Sequence, residues 1–333
     1  MFKLALTALL LASLLAAGAF WWLQRPLPLA AGLSVAELAI EPGTAPKAVA
    51  QAVVDAGVQT SASALALWFR FSGQDRQIRA GSYEIPAGTT PRRLLLMLVR
   101  GEESLRSLTV VEGWNWRQLR QALARAEQLR HDSASLSDAQ LMAQLGRPGL
   151  PPEGRFYPDT YSYAKNSSDL QLLARALKAM DRQLERAWAA RGPALAVHSP
   201  EQALILASIV EKETGKGTDR AMISRVFHNR LHLGMLLQTD PTVIYGLGEA
   251  FDGNLRRVHL RTDTPWNTYT RAGLPPTPIA MPGKAALLAA VQPADSAALY
   301  FVAKGDGSSH FSQTLEEHNR AVNRYQRGGK GQD

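Results

Sequence analysis

Two glutamates stand at the end of the chain's most apolar helical stretch, 205-ILASIVEKETG-215. A carboxyl group delivered by such a helix is partly desolvated, which disfavours its charged form and raises its pKa. A carboxyl of that kind donates a proton near neutral pH, as glycosidases require. At about 100° per residue, Glu211 and Glu213 lie about 200° apart around the helix axis, so they cannot serve one cavity. Glu211 shares a stripe with Ala207, Ser208, Thr214 and Gly215. Small neighbours leave room for a ligand, which makes Glu211 a candidate proton donor. By itself, an EKE string near a helix end is more often solvated surface. The neighbourhood shifts that balance. Asn229, Gln238, Thr239, Asp240, Asn267 and Tyr269 offer the amides, hydroxyls and carboxylate that bind sugars, and Trp266 offers an aromatic face.

The elements that must position these residues are legible as patterns. Residues 203–213 and 221–234 read as helices, and 238–248 and 264–283 as Pro- and Gly-rich loops lining something. A long amphipathic helix runs from Asp169 to about Arg191, its charge run a solvated face. Upstream, 153-EGRFYPDTYSY-163 reads as an aromatic, turn-rich domain seam. Nearer the N-terminus the chain almost repeats itself: 40-IEPGTAPKAVAQAV-53 matches 85-IPAGTTPRRLLLML-98, with a fainter copy in 110-VVEGWNWRQLRQAL-123. Each copy reads as a strand end, a Gly turn, a Thr or Trp near the N-cap and an amphipathic helix. Stacked units of this kind make an α+β module. Between the copies, 62-ASALALWFRFSG-73 reads as a helix whose Trp68, Phe69 and Phe71 pack in the core, and 79–88 as a short strand with Tyr83. The stretch 299–322 reads as a strand, a Gly-rich hairpin and a helix.

Composition bounds the partners. The 333 residues carry a net charge of +8 and no cysteine. Thiol catalysis, Cys-based zinc sites and disulfides are excluded. A basic surface suits nucleic acid, anionic lipid or an acidic polymer, but no zinc-finger, RRM or other nucleic-acid signature is present, so nucleic acid is not an expected partner. His228 and His232 have the i, i+4 spacing of HExxH, yet Asn229 stands where that motif needs Glu. They read as packing or surface histidines, with no metal and no cofactor expected. His310 and His318 have no evident partner. Residues 4-LALTALLLASLLAAGAFWWL-23 form an uncharged run of about membrane-spanning length, with Trp21 and Trp22 at an interfacial position. Ala17-Gly18-Ala19 would suit signal-peptide cleavage. The run continues past it, which favours a retained anchor, and either reading puts the rest outside the cytoplasm. Arg25 lies close beyond the run, so the charge asymmetry with Lys3 is slight. Residues 24–32 read as a Pro-rich exit linker.

The strings ASIVEKETG, VFHNRLHLGMLLQTDPTVIYGLG, TPWNTYTRAGLPPTPI and EGRFYPDTY, in this order, resemble those of the endolytic murein transglycosylases, the YceG-like family. The resemblance runs from the N-terminal segment to about Tyr325. It implies an α+β chain in four parts: a transmembrane helix over 1–25, a LysM-like subdomain over 26–108 matching the repeat, a mixed, mainly helical catalytic domain over 109–326, and a disordered tail over 327–333. It implies a single-pass protein of the inner membrane with its bulk on the periplasmic face. Such a protein cuts nascent peptidoglycan glycan strands internally, leaves 1,6-anhydro-muramyl ends and terminates elongation. Partners would be the glycan strands, membrane lipid and peptidoglycan synthases. The first Glu of the EKE string, here Glu211, would be the acid/base. A single carboxyl suffices where the substrate's own hydroxyl is the nucleophile, unlike the paired carboxyls of most glycosidases. Gln238, Thr239, Asp240, Asn267 and Tyr269 would bind substrate. Three positions depart from the family pattern. Asp219 stands before Arg220 where an ER pair is expected, and Thr277 and Met281 replace a Gly and a small polar residue in the proline loop. Two other readings remain: a hydrolase in which Asp240 or Asp219 activates water, and a non-catalytic peptidoglycan-binding scaffold.

Overall fold

The computed structural model describes residues 2–328. The chain divides into two units, Met1–Arg106 with Ser162–Asn166, and Ser107–Tyr161 with Ser167–Asp333. Of the tail expected to be disordered, residues 329–333 lie outside the described residues.

The first unit opens with α1 (Phe2–Gln24), whose Leu9, Leu10, Leu14, Leu15 and Phe20 are exposed. Among the described residues no helix is long and apolar enough to cross a membrane. Then follow β1 (Val35–Ile40), α2 (Pro46–Asp55), α3 (Ala62–Phe71), β2 (Gly81–Pro86) and α4 (Pro91–Arg100). β1 and β2 pair antiparallel, with Leu38 opposite Tyr83 and Ala36 opposite Ile85. Alternation along β1 sends Ala36, Leu38 and Ile40 to one buried face. The repeat is structural. Gly43 and Gly88 both turn with positive φ, and Pro46 and Pro91 both open helices, where a missing N–H costs nothing. Val49 and Val53 of one copy and Leu94 and Leu98 of the other are all buried in one core. In α3 the expectation holds for Phe69 and fails for Phe71, which is 80% exposed. Two residues along a helix is over half a turn, so both rings cannot face the same core.

The chain passes between the units in β3 (Leu105–Thr109) and β4 (Thr160–Ala164). Between them lie α5 (Trp116–Ala124) and α6 (Asp138–Gln144). The third copy of the repeat thus ends in α5, whose N-cap is Asn115 in a capping box with Gln118. The second unit continues through α7 (Asp169–Ala189), α8 (Pro200–Glu213), α9 (Arg220–His232), α10 (Asp240–Leu247), α11 (Arg257–Arg261) and α12 (Lys284–Val291). It closes with the antiparallel hairpin of β5 (Tyr300–Ala303) and β6 (Ser309–Ser312) and with α13 (Leu315–Tyr325). The 240–247 segment, expected as loop, is helical. Asp240 and Pro241 sit in its first turn, where an acidic side chain and a proline are both favourable.

α8 is the hub. Every residue from Ala203 to Val210 is buried, so the helix is apolar around its whole circumference, and α7, α9, α10 and α12 pack on it. Ser199 caps its N-terminus by accepting from Gln202 N–H. The 275–283 loop is fastened to the same helix, since Ile279 N–H donates to Ser208 Oγ at 3.0 Å and that hydroxyl donates to Ile205 O. Ser208→Ala would leave a buried N–H without an acceptor. It should lower unfolding stability by about 1–3 kcal/mol, read by chemical denaturation.

Candidate active site

The two glutamates of α8 point to different surroundings, as their spacing requires. Glu211 lies on the stripe of Ser208. Its carboxylate accepts from Gly283 N–H at 2.9 Å and faces the Arg220 guanidinium at 3.4 Å. Its side chain is only 6% exposed. Burial raises its pKa, the Gly283 N–H and Arg220 pull it down, and nearby Glu112 pushes it up. Gly283 is the N-cap of α12 and has no space for a Cβ, because Glu112 lies against it. Glu211 therefore fastens the end of the proline loop and the start of α12 to α8. Of its small neighbours, Ala207 and Ser208 are fully buried in the core. On the other side of the stripe Thr214 is half-buried and Gly215 is exposed.

The polar set gathers around Glu213 instead. A cavity of about 530 Å³ is lined by Glu213, Gln238, Asp240, Tyr269, Arg230 and the β5 residues Tyr300–Ala303, among others. Glu213 is largely buried and receives a hydrogen bond from Thr239 Oγ1. Burial pushes its pKa up to about 7, against the Thr239 hydrogen bond and with the help of Asp240. Tyr269 donates its hydroxyl to Asp240 at 2.6 Å, which with burial raises the phenol's pKa. Gln238 holds φ at +51° and donates its N–H to Thr268 O, leaving its side chain exposed at the cavity. A left-handed conformation at a non-glycine residue costs on the order of 1 kcal/mol and concentrates at sites under functional constraint. Arg230, 8% exposed, uses its donors on the carbonyls of Leu236, Leu237 and Leu299. It shapes the cavity without neutralising Glu213. The site can thus present a carboxyl whose pKa burial raises towards neutrality, beside an amide, a carboxylate and a phenol. Sequence reasoning singled out Glu211 and gave Glu213 no role; burial raises the pKa of both.

Other expected residues have internal duties. Asn267 is fully buried; its Nδ2 donates towards the carbonyls of His259, Leu260 and Thr262 and its Oδ1 accepts from Tyr269 N–H. These bonds lie within the protein, so Asn267 builds the loop that carries Tyr269. Thr239 is 2% exposed and acts through Glu213. Asn229 donates to the carbonyls of Ser296 and Ala298. Asp219 is spoken for by Ser309 N–H at 2.6 Å. His228 is fully buried, accepts from Ala196 N–H at Nδ1 and donates from Nε2 to Ala290 O, with burial holding its pKa down to about 4. It is a neutral core histidine. Of the two departures in the proline loop, Met281 is core and Thr277 accepts from Trp266 Nε1 at 2.9 Å. Asn267→Ala should lower stability by about 2–3 kcal/mol, because several buried carbonyls lose their donor. Thermal melts and turnover should fall together, separating a loop-building role from a ligand.

The family model described as YceG-like matches residues 38–324. An endolytic murein transglycosylase of Bacillus subtilis is 30% identical over 305 residues, covering 86% of this chain and 83% of that protein. One from Streptococcus pneumoniae is 28% identical over 286 residues, 74% of this chain and 50% of that protein. Among solved structures, a YceG-like protein of Listeria monocytogenes is 28% identical with a TM-score of 0.55, covering 86% of this chain and 98% of that one. With the match spanning both units and the Glu213 cavity, this chain belongs to the YceG-like family.

Proposed function

We propose that this chain is an endolytic murein transglycosylase, cleaving peptidoglycan glycan strands internally, with Glu213 as its acid/base. One observation carries the assignment of the acid: Glu213 is a carboxyl with a pKa of about 7, facing a cavity lined by Gln238, Asp240 and Tyr269. The names of the relatives supply the reaction class. Protonated Glu213 gives its proton to the glycosidic oxygen as the C1–O bond breaks. The resulting carboxylate then takes the proton of the muramyl 6-hydroxyl, whose oxygen bonds to C1 and closes the 1,6-anhydro ring. Glu213 ends as it began, and no second carboxyl is needed. Gln238 and the Asp240–Tyr269 pair orient the sugar by hydrogen bonds to its hydroxyl and acetamido groups. Glu211 is the rival acid, but its commitment to Gly283 and Arg220 suits a structural role better.

Around that chemistry, residues 109–326 would be the catalytic part and 26–108 a LysM-like module holding glycan. Residues 1–25 would anchor the chain in the inner membrane, with its bulk on the outer face and within reach of peptidoglycan synthases. The exposed leucines of α1 support the anchor, since side chains of that kind need a cover. The full-length protein should accordingly sediment with membranes and resist extraction by high salt. Recovery in the soluble fraction after lysis would refute the anchor.

Three digests of glycan strands, by wild type, Glu213→Gln and Glu211→Gln, test the chemistry. Glu213→Gln keeps the shape but cannot pass a proton, and should cut at least about 10²-fold more slowly. Glu211→Gln can still accept from Gly283 but loses the ion pair, so it should cost roughly 1–3 kcal/mol of stability while folded protein keeps most activity. Cleavage by wild type should fall as pH rises through about 7, because only protonated Glu213 is a donor. Mass spectrometry should find 1,6-anhydro-muramyl ends. Reducing ends would mean hydrolysis, and no cleavage a binding scaffold.

A further inference from the structure

α13 forms one wall of the Glu213 cavity. Leu315, His318 and Val322 line it along one stripe of the helix, with Gln326 at the C-cap. The helix is lightly held. It packs on β5 and β6, and Ala321 is its one buried residue. His318 stands in the stripe and stacks on Tyr300 of β5, with ring centroids 5.3 Å apart and planes 25° from parallel. The same tyrosine ring has the Arg230 guanidinium 5.1 Å from its centroid. His310 of β6 lies against Tyr325 at the far end of α13, with centroids 5.7 Å apart.

His318 Nδ1 is buried and has no hydrogen-bond partner among the described residues. A neutral imidazole tolerates this, since it can carry its proton on Nε2 and leave Nδ1 a bare acceptor. An imidazolium does not, because Nδ1 then bears a buried N–H with no acceptor. Burial, and then the Arg230 and His310 side chains on α9 and β6, hold the pKa of His318 below its ordinary value. The acids of this wall and of the cavity are engaged elsewhere. Glu316 pairs with Arg320, and Glu317 accepts from the N–H groups of Gln313 and Thr314. Across the cavity Glu213 is bonded to Thr239, and Asp240 to Tyr269.

We propose that α13 is a proton-operated wall of the Glu213 cavity, docked on the β5–β6 hairpin while His318 is neutral and released when His318 takes up a proton. The direction follows from linkage. A histidine held below its ordinary pKa binds a proton more weakly docked than released. Docking is therefore full above about pH 6.5 and weakens as pH falls through that value. Release takes the stripe away from the cavity and opens that side to solvent. The consequence for cleavage rests on the reading of Glu213 as the acid, whose protonated fraction grows over the same fall in pH. Access to the cavity and supply of the proton then rise together.

The chain has no cysteine, so one introduced thiol takes one nitroxide spin label. The label goes on the exposed side of α13 as Arg324→Cys, or on α7 as Glu185→Cys for reference, in otherwise unchanged full-length protein. As pH falls from about 8 to about 5, the α13 label should pass from an immobilised to a mobile spectrum. The α7 label should keep its line shape. Adding His318→Phe keeps a ring for Tyr300 without a titrating nitrogen and should abolish the change. His318→Gln, smaller and also neutral, should abolish it too. An α13 label that ignores pH in the parent, or a change that persists in either neutral variant, overturns the switch. A Glu213→Gln protein that still cuts glycan would instead sink the acid assignment and leave the label result standing.

Discussion

The structure depends on one helix being buried on every side. α8 has no solvent face between Ala203 and Val210, so any polar side chain it carries must find a partner inside the protein or wait for the last turn. Ser208 takes the first course, with Ile279 N–H and Ile205 O. Glu211 and Glu213 take the second, emerging where the helix leaves the core. Emergence is incomplete, and that is what makes the chemistry available. A carboxyl at the border of an apolar hub is desolvated enough to be protonated near neutrality, yet open enough to meet a ligand.

The same border assigns opposite duties to the two carboxyls. Glu211 faces a Pro-rich loop, which by composition has few N–H groups and by burial cannot leave them unpaired. Gly283 and Arg220 consequently claim it. Glu213 faces α10 and the 267–269 loop, where the nearest donor is one threonine hydroxyl. Burial prevails at both carboxyls, and at Glu213 only a single neutral donor opposes it. Under the proposed chemistry Glu211 ties a loop to the helix and Glu213 passes the proton.

That division marks the limit of what the sequence made legible. The repeat, the amphipathic rhythm of α7, the helix α9 and the terminal hairpin all followed from local pattern. The divergence of the two glutamates also followed, from helix geometry alone. Which direction led to a cavity did not. It depends on Gly283 and Thr239, 72 and 26 residues away along the chain, and no local rule places them. Asn267 raises the same difficulty. An amide in a Pro-rich loop can serve a ligand or the turn itself, and only the carbonyls of His259, Leu260 and Thr262 decide between them. α10 was hidden by its Asp-Pro start, which reads as a turn but also opens helices.

A strand-cutting enzyme with one proton-transfer group needs its substrate to complete the reaction, and that places the burden of precision on positioning. The muramyl 6-hydroxyl must reach C1 before water does, which demands a sugar held in one orientation while the bond breaks. Several features of the site favour fixed geometry over charge. Tyr269 is locked to Asp240, its loop is laced by Asn267, Gln238 is held in a left-handed backbone conformation, and Arg230 is tied to three carbonyls. None of these groups is a free nucleophile or a free base. A hydrolase would need a carboxylate poised to activate water, but Asp240 accepts a phenol's proton and Asp219 a backbone N–H. Rigid donors around one titrating carboxyl are the arrangement that lets the substrate's own oxygen win.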